Sequence, residues 1–290
     1  MLPLERRRTK VRRMRVVRTL PELREAAAAL RSARGALALV PTMGALHDGH
    51  RALVTAAVTS GAATVASIFV NPLQFAATED LSRYPRDEAA DLAMLTACGC
   101  ALVWMPDVAT MYPAGDATTI SLTGPAENWE GAARPGHFRG VATVCAKLFG
   151  QVRPDRAYFG EKDWQQLQVI RRMVDDLLLP LSIVPVETVR ETDGLGMSSR
   201  NRFLTETERA LAPALYAALT RTARAIVAGG AVDTNLRAAR DALTAAGFAV
   251  DYFDLVDGPG LTSVTEAVPG ARLIAAARLG SVRLLDNIAV

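Results

Sequence analysis

Leu37-Ala38-Leu39-Val40-Pro41-Thr42-Met43-Gly44-Ala45-Leu46-His47-Asp48-Gly49-His50 is the stretch from which the fold of this chain is read. Its apolar run, Leu37 to Val40, predicts a buried strand; the glycine-bearing residues predict a turn, and about Gly49 to Gly61 a helix. Gly44 and Gly49 let the backbone turn tightly and approach a ligand without a Cβ in the way. The helix start then offers unpaired N–H groups and the positive end of a dipole, which together suit an anion. His47 and His50, two of the three histidines in 290 residues, share one face of that first turn, so both rings can meet one phosphate or the oxygen leaving it. A lone His-x-x-His is more often a capped helix with solvated rings. The strand and glycines around this pair turn the balance towards anion binding.

Outward from this turn, apolar runs alternate with helical stretches. Thr64 to Val70 precedes a helix near Arg86 to Cys98, followed by Ala101 to Met105; a helix near Val141 to Gln151 precedes Arg156 to Phe159, and another near Trp164 to Leu179 precedes Ser182 to Val186. Continuous apolar strands separated by helices predict an α/β doubly wound parallel sheet, whose ligands lie at the carboxyl ends of the strands. From Thr205 the pattern changes. Two alanine-rich helices, about Thr207 to Ala228 and Asn235 to Ala246, precede runs at Val250 to Val256, Ala271 to Leu279 and Val282 to Ile288, which read as a smaller C-terminal α+β domain. The expected division is a basic arm over residues 1–14, a catalytic domain over 15–189 and a C-terminal domain over 190–290.

Composition narrows the functional classes. Half the residues are hydrophobic and 22% charged, as in a globular protein, and no apolar run approaches the roughly 20 residues of a membrane span. The N-terminus lacks an apolar signal core, so a cytoplasmic location is expected. Cys98, Cys100 and Cys145 form neither a disulfide framework nor a zinc spacing. The net charge of +3 conceals an asymmetry, because residues 1 to 18 hold eight basic side chains against Glu5 and leave 25 basic and 29 acidic residues elsewhere. Such a short basic run is read as a solvated, dispensable arm rather than a nucleic-acid site, with Met14 as an alternative start.

The remaining polar clusters follow predicted strand ends and can converge on one cleft. Lys162-Asp163 suits a polyphosphate, since the ammonium can neutralise phosphate charge while the carboxylate caps a helix or holds a ribose hydroxyl. Ser198-Ser199-Arg200, after Asp193-Gly194-Leu195-Gly196, brings hydroxyls, backbone donors and a guanidinium fork into one loop. Gln74 and Gln166 are neutral amides suited to a hydroxylated acid; Asn71 either acts likewise or caps its turn. His137, in Arg134-Pro135-Gly136-His137-Phe138, reads as a pocket wall or helix cap. No P-loop, dinucleotide fingerprint or metal box competes.

Pro41 to His50, Phe69-Val70-Asn71-Pro72-Leu73-Gln74-Phe75, Tyr84-Pro85-Arg86, Arg134 to Phe138, Phe159 to Gln166 and Asp193 through Asn201 occur in an order that closely resembles the pantothenate synthetases, the pantoate:β-alanine ligases. The resemblance runs from about Val16 to Arg283-Leu284-Leu285-Asp286-Asn287-Ile288. It implies a Rossmann-like domain of the HxGH nucleotidyltransferase superfamily, a C-terminal lid and a homodimer that binds neither nucleic acid nor membrane. It also implies ATP, Mg²⁺, pantoate and β-alanine as ligands, and a pantoyl-adenylate intermediate on the way to pantothenate, AMP and pyrophosphate.

Carried onto this sequence, the resemblance assigns ATP to Met43, Gly44, Ala45, Leu46, His47, Asp48, Gly49 and His50, to Gly160, Glu161, Lys162 and Asp163, and to Val189, Met197, Ser198, Ser199 and Arg200. His50, His47, Lys162 and Arg200 are its catalytic group, with His50 at the position of a proton donor. Asp163 and Gly160 would hold ribose, and Val189 and Met197 would flank adenine. Gln74, Gln166 and Asn71 would hold pantoate, Gln74 also β-alanine, and Asp91 the Mg²⁺. Ala90 stands where some relatives have an acidic residue. Two other readings stay open from the residues alone: an adenylyltransferase with another small acceptor, and a non-catalytic nucleotide- or RNA-binding relative.

Overall fold

The computed structural model describes residues 14–75, 81 and 84–290; apart from Met14, the basic arm lies outside the described residues. Six strands form a parallel sheet: β1 (Arg15–Val17), β2 (Leu37–Thr42), β3 (Ala63–Ile68), β4 (Leu102–Trp104), β5 (Arg156–Gly160) and β6 (Ser182–Val186). Their order is β1-β4-β3-β2-β5-β6. From β2 the chain moves to β3 on one side and later resumes at β5 on the other, with β2 paired to both. The crevice of a doubly wound sheet opens at such a reversal, here between β2 and β5.

Alternation along β2 shows why both faces are covered. Leu39 packs with Leu23 of α1 (Leu20–Arg34), Val141 and Leu148 of α6 (His137–Val152) and Ile170 of α7 (Trp164–Asp176). Its neighbours Ala38 and Val40 point the other way, onto Leu53 and Val54 of α2 (Asp48–Thr59) and Leu95 of α3 (Glu88–Ala97). A strand buried on both faces needs the unbroken apolar sequence seen here. Two single-turn helices, α4 (Val108–Met111) and α5 (Glu130–Ala133), lie in the connection from β4 to α6.

Beyond β6 the chain forms α8 (Glu206–Leu211), α9 (Ala214–Val227) and α10 (Val232–Ala245), then an antiparallel sheet of β7 (Ala249–Val256), β8 (Arg272–Leu279) and β9 (Val282–Ala289). Leu215, Leu219 and Leu236 of the helices pack on Leu273, Ala275 and Ala277, one face of β8. Ile274, on the opposite face, packs against Trp129 and Trp164 of the parallel-sheet unit. The second sheet therefore covers its own core on one side and docks on the first unit with the other.

Several elements differ from the sequence reading. The helix expected over Thr207 to Ala228 is two helices, α8 and α9, parted at Pro213, whose nitrogen has no hydrogen to continue the ladder. The edge strand β1 and helices α1, α4 and α5 lie outside the sequence expectation: β1, α4 and α5 are too short for a periodic signal, and the alanines of α1 blur its apolar stripe. Among the described residues no helix is long and apolar enough to cross a membrane.

Gly140 sets how closely α6 approaches the Pro72–Gln74 turn. A Cβ there would lie 2.2 Å from the Leu73 carbonyl oxygen and 2.7 Å from the Gln74 nitrogen. Gly140→Ala is therefore expected to lower the unfolding free energy by about 1–3 kcal/mol, the usual cost of overpacking, read from urea denaturation. An unchanged midpoint would show that the turn moves aside freely.

Candidate active site

Beyond β2 the backbone bends sharply. Gly44 takes φ +84°, and Ala45, a residue with a side chain, takes φ +52° in the left-handed region. That conformation costs an L-residue about 1–2 kcal/mol. The Asp91 carboxylate offsets it: one oxygen accepts from the Ala45 N–H at 2.9 Å and the other from the Leu46 N–H at 2.7 Å. Hydrogen bonds to a charged acceptor contribute about 1.5–3 kcal/mol each. Asp91 is buried at the start of α3 and does not line the cleft. Asp91, the residue expected to serve Mg²⁺, thus uses one lone pair of each oxygen to hold this turn. Among the described residues, no group of His, Cys, Asp and Glu is arranged to hold a metal ion.

The two histidines close the first turn of α2 on each other. His47 Nδ1 accepts from the Gly49 N–H at 3.2 Å, and His50 Nδ1 accepts from the His47 N–H at 3.3 Å. Because each Nδ1 accepts a backbone hydrogen, each neutral ring carries its proton on Nε2. The ring centroids are 4.2 Å apart, and both residues line the cleft. Burial, together with the Lys162 charge, holds His47 down to a pKa of about 4; burial and His47 hold His50 down to about 3. Both are neutral Nε2–H donors at neutral pH. Gly49 is required beneath them, since a Cβ would lie 2.9 Å from His47 Cε1.

Opposite, the turn after β5 brings in Lys162 and Asp163, their charged atoms 3.4 Å apart. Burial works to raise the Asp163 pKa, but the Lys162 ammonium and the Arg200 guanidinium outweigh it, so the carboxylate stays below its usual range. After β6 the chain folds back, with the Met197 N–H donating to the Val189 carbonyl at 3.0 Å, so these two expected flanking residues sit side by side. Asn201 braces the return by donating to Glu191 and to the Gly196 carbonyl, both at 3.1 Å. Ser198, Ser199 and Arg200 then reach the cleft, where Ser198 Oγ accepts from the Arg200 N–H at 3.3 Å.

The cleft, open to solvent, gathers Met43, His47, Gly49, His50, Gln74, Gly160, Lys162, Asp163, Gln166, Val189, Met197 and Ser198 through Arg200. Gly44, Ala45 and Leu46 are buried behind it and shape the loop. Asp48 is exposed and paired with Arg51 at 2.9 Å. The Glu161 carboxylate turns away to Arg272 at 2.8 Å. Asn71 touches the cleft wall, but its amide is fully used: Nδ2 donates to Gln74 Oε1 and the Gly140 carbonyl, while Oδ1 accepts from Leu73 N–H and Tyr112 O–H. Asn71 therefore caps its turn and orients Gln74. His137 is likewise a spacer, its Nδ1–H donating to the Gln74 carbonyl at 2.9 Å and its Nε2 accepting from Arg134 at 3.0 Å.

Sequence reasoning missed the apolar end of the cleft, where Phe69, Val144, Cys145 and Leu148 meet. The last three share one stripe of α6, and a stripe that faces a cavity has the same spacing as one that faces a core. Tyr84 was also missed as a wall residue; it stands beside Ser199, and burial raises its pKa.

A doubly wound sheet whose strand ends gather two neutral imidazole donors, a lysine, an arginine and two primary amides defines an α/β enzyme that handles a polyanionic nucleotide beside a small polar substrate. Comparison with known proteins gives the narrower assignment. A family model described as pantoate-beta-alanine ligase matches residues 15–289. The chain is 57% identical to a pantothenate synthetase of Granulibacter bethesdensis over 277 residues, spanning 95% of this chain and 96% of that protein. It is also 57% identical to one from Acidiphilium cryptum, over 96% of this chain and 100% of the other. The solved pantothenate synthetase of Thermus thermophilus superposes with a TM-score of 0.90 at 50% identity, covering 95% of this chain and 99% of that one. A pantoate-beta-alanine ligase of Francisella tularensis, solved with β,γ-ATP and β-alanine, gives 0.81 at 30% identity over 95% and 97%. The chain belongs to the pantoate-β-alanine ligase family.

The depressed histidines have a consequence for stability. In the unfolded chain both rings gain protons as pH falls through about 6.5, whereas the folded rings resist until about 4 and 3. The unfolded state then binds more protons, so stability present above pH 6.5 is lost progressively on acidification. Urea unfolding free energies are expected to fall between pH 6.5 and 5, above the range where most carboxylates titrate. The slope should flatten in the His47→Asn/His50→Asn double variant; an equal slope in both proteins would show that the rings protonate freely when folded.

Proposed function

We propose that this cleft activates pantoate with ATP and passes the activated acid to β-alanine, giving pantothenate, AMP and pyrophosphate. The observation that carries the reading is the convergence of His47, His50 and Lys162 on one cleft with Gln74 and Gln166. The first group suits a triphosphate and the second a hydroxy acid. A carboxylate is a poor acyl donor, so it must first gain a better leaving group. A pantoate carboxylate oxygen attacks the α-phosphorus, the bond to the β-phosphate bridging oxygen breaks, and pyrophosphate departs. The β-alanine amine then attacks the acyl carbon of the pantoyl adenylate, the bond to AMP breaks, and the nitrogen loses a proton.

In this reading His47 and His50 present Nε2–H donors to charge that grows on the phosphoryl and leaving oxygens. Donors fixed in place before reaction are most effective there, because they need no reorganisation. Lys162 and Arg200 add full positive charges, with Ser198 and Ser199 closing over the phosphates. Asp163 and Gly160 hold ribose, and Val189 and Met197 flank adenine. Gln74, set by Asn71, and Gln166 take the polar groups of pantoate while the apolar end accepts its methyl groups; Gln74 also lies near β-alanine. Among the described residues no group of His, Cys, Asp and Glu forms a cage for magnesium; the ion would be held chiefly by the triphosphate and water, with Asp91 the protein carboxylate expected to serve it. The same reading divides the work between residues 15–189 and 190–290 and takes the protein as a cytoplasmic homodimer that binds no nucleic acid.

Incubation with pantoate, ATP, Mg²⁺ and β-alanine is expected to yield pantothenate and AMP in equal amounts; ATP consumption without pantothenate would refute the reading. His50→Ala and Lys162→Ala are expected to slow pyrophosphate release by at least about 10²-fold, the scale of a lost transition-state donor. Reaction of preformed pantoyl adenylate with β-alanine should be spared. Equal losses in both half-reactions would contradict the assigned roles.

A further inference from the structure

The closing stretch Arg283-Leu284-Leu285-Asp286-Asn287-Ile288 contributes to the family resemblance, yet none of its side chains belongs to the chemistry above. It forms most of β9, whose alternate residues Arg283, Leu285 and Asn287 face the parallel-sheet unit. Asn287 is 3% exposed, and both hydrogens of its amide are used. Its Nδ2 donates to the Glu161 carbonyl at 2.9 Å and to the Lys162 carbonyl at 2.8 Å. Its Oδ1 accepts from Arg272 Nε at 2.5 Å. Arg272 continues to the Glu161 carboxylate at 2.8 Å and stacks 3.7 Å over the Trp164 ring.

These contacts grip one short segment from both ends. The turn Glu161–Asp163 is a single 3-10 turn, and neither Gly160 before it nor Asp163 at the start of α7 supplies a side-chain cap. Little within the segment itself fixes its backbone. Its carbonyls and flanking side chains are instead held by the C-terminal sheet, across about 125 residues of sequence. A buried asparagine that merely joined two units could bond to any backbone on the interface. This one bonds to the carbonyl of the residue whose ammonium faces the cleft.

We propose that Asn287, backed by Arg272, is a positioning residue for Lys162, so that adenylate formation requires the C-terminal sheet to be docked on the Glu161–Asp163 turn. The proposal rests on the reading of Lys162 as the phosphate-facing cation, and a double-mutant cycle in the full chain separates the two. Single-turnover pyrophosphate release from pantoate and ATP, without β-alanine, reports adenylate formation; aminolysis of preformed pantoyl adenylate reports the second step. Asn287→Ala is expected to slow the first step about tenfold, the scale of a modest misplacement, and to leave the second within about twofold. In a Lys162→Ala background the same substitution should change the first step by less than about twofold, because the group through which it acts is gone.

Losses that multiply independently, or an equal loss in both half-reactions, would make Asn287 a docking residue alone and overturn the proposal. If Lys162→Ala itself left adenylate formation intact, the reading of Lys162 would fall, and the proposal with it. Arg272→Lys, which keeps a cation beside Glu161 but loses the planar fork, gives a second test should Asn287→Ala fold poorly. It should slow only the first step, and an unchanged rate there would also overturn the proposal.

Discussion

Everything at the nucleotide end of this cleft depends on how the first turn of α2 is capped. A helix start leaves backbone donors that need acceptors, yet an anion site needs donors left pointing outward. Aspartate or serine at the cap would satisfy the backbone, and aspartate would also add the wrong charge. Histidine meets both demands because its two nitrogens are distinct. Each Nδ1 takes a backbone hydrogen, and that bond leaves the proton on Nε2. Burial keeps the rings neutral, so the free site presents two preorganised donors without two additional buried positive charges beside Lys162.

The same economy explains two residues that support the cleft from behind. The family resemblance gives Asp91 to Mg²⁺, and the residue type leaves Asn71 open between a hydroxy-acid contact and a turn cap. Both are buried, and their hydrogen bonds hold Ala45 and Leu46 in one case and Gln74 in the other. Leaving either unsatisfied would cost about 1–3 kcal/mol. Residue type alone does not distinguish the layer that touches a ligand from the layer that aims it. Only burial and the direction of each lone pair do so.

Much of the parallel sheet was legible because burial on both faces enforces long apolar runs, and β2, β3, β5 and β6 lie close to where those runs predict. The histidines were legible because strand, glycine and helix start fall within fourteen residues. Less was legible where the signal is short or shared. Three residues of β1 carry no periodicity, and Pro213 breaks a helix whose alanine-rich flanks look continuous. The apolar floor formed by Val144, Cys145 and Leu148 has the spacing of any packed helix face. Contacts across long sequence separations, such as Asn287 to Lys162, have no local signature.

The C-terminal sheet is consequently more than a cover. One face of β8 completes its own core through Leu273, Ala275 and Ala277, and the other lays Ile274 against Trp129 and Trp164. Around that apolar centre the docking is ionic and directional. Glu130, buried in the first unit, meets Arg283 at 2.5 Å and Tyr252 O–H at 3.0 Å. Arg272 meets the Glu161 carboxylate at 2.8 Å and lies over Trp164. Apolar burial is tolerant of small slides, whereas paired charges in fixed geometry are not. This combination lets hydrophobic contact supply adhesion while the Arg272 and Arg283 contacts fix register, which is what a site assembled from two units needs if its phosphate-facing groups are to meet one substrate.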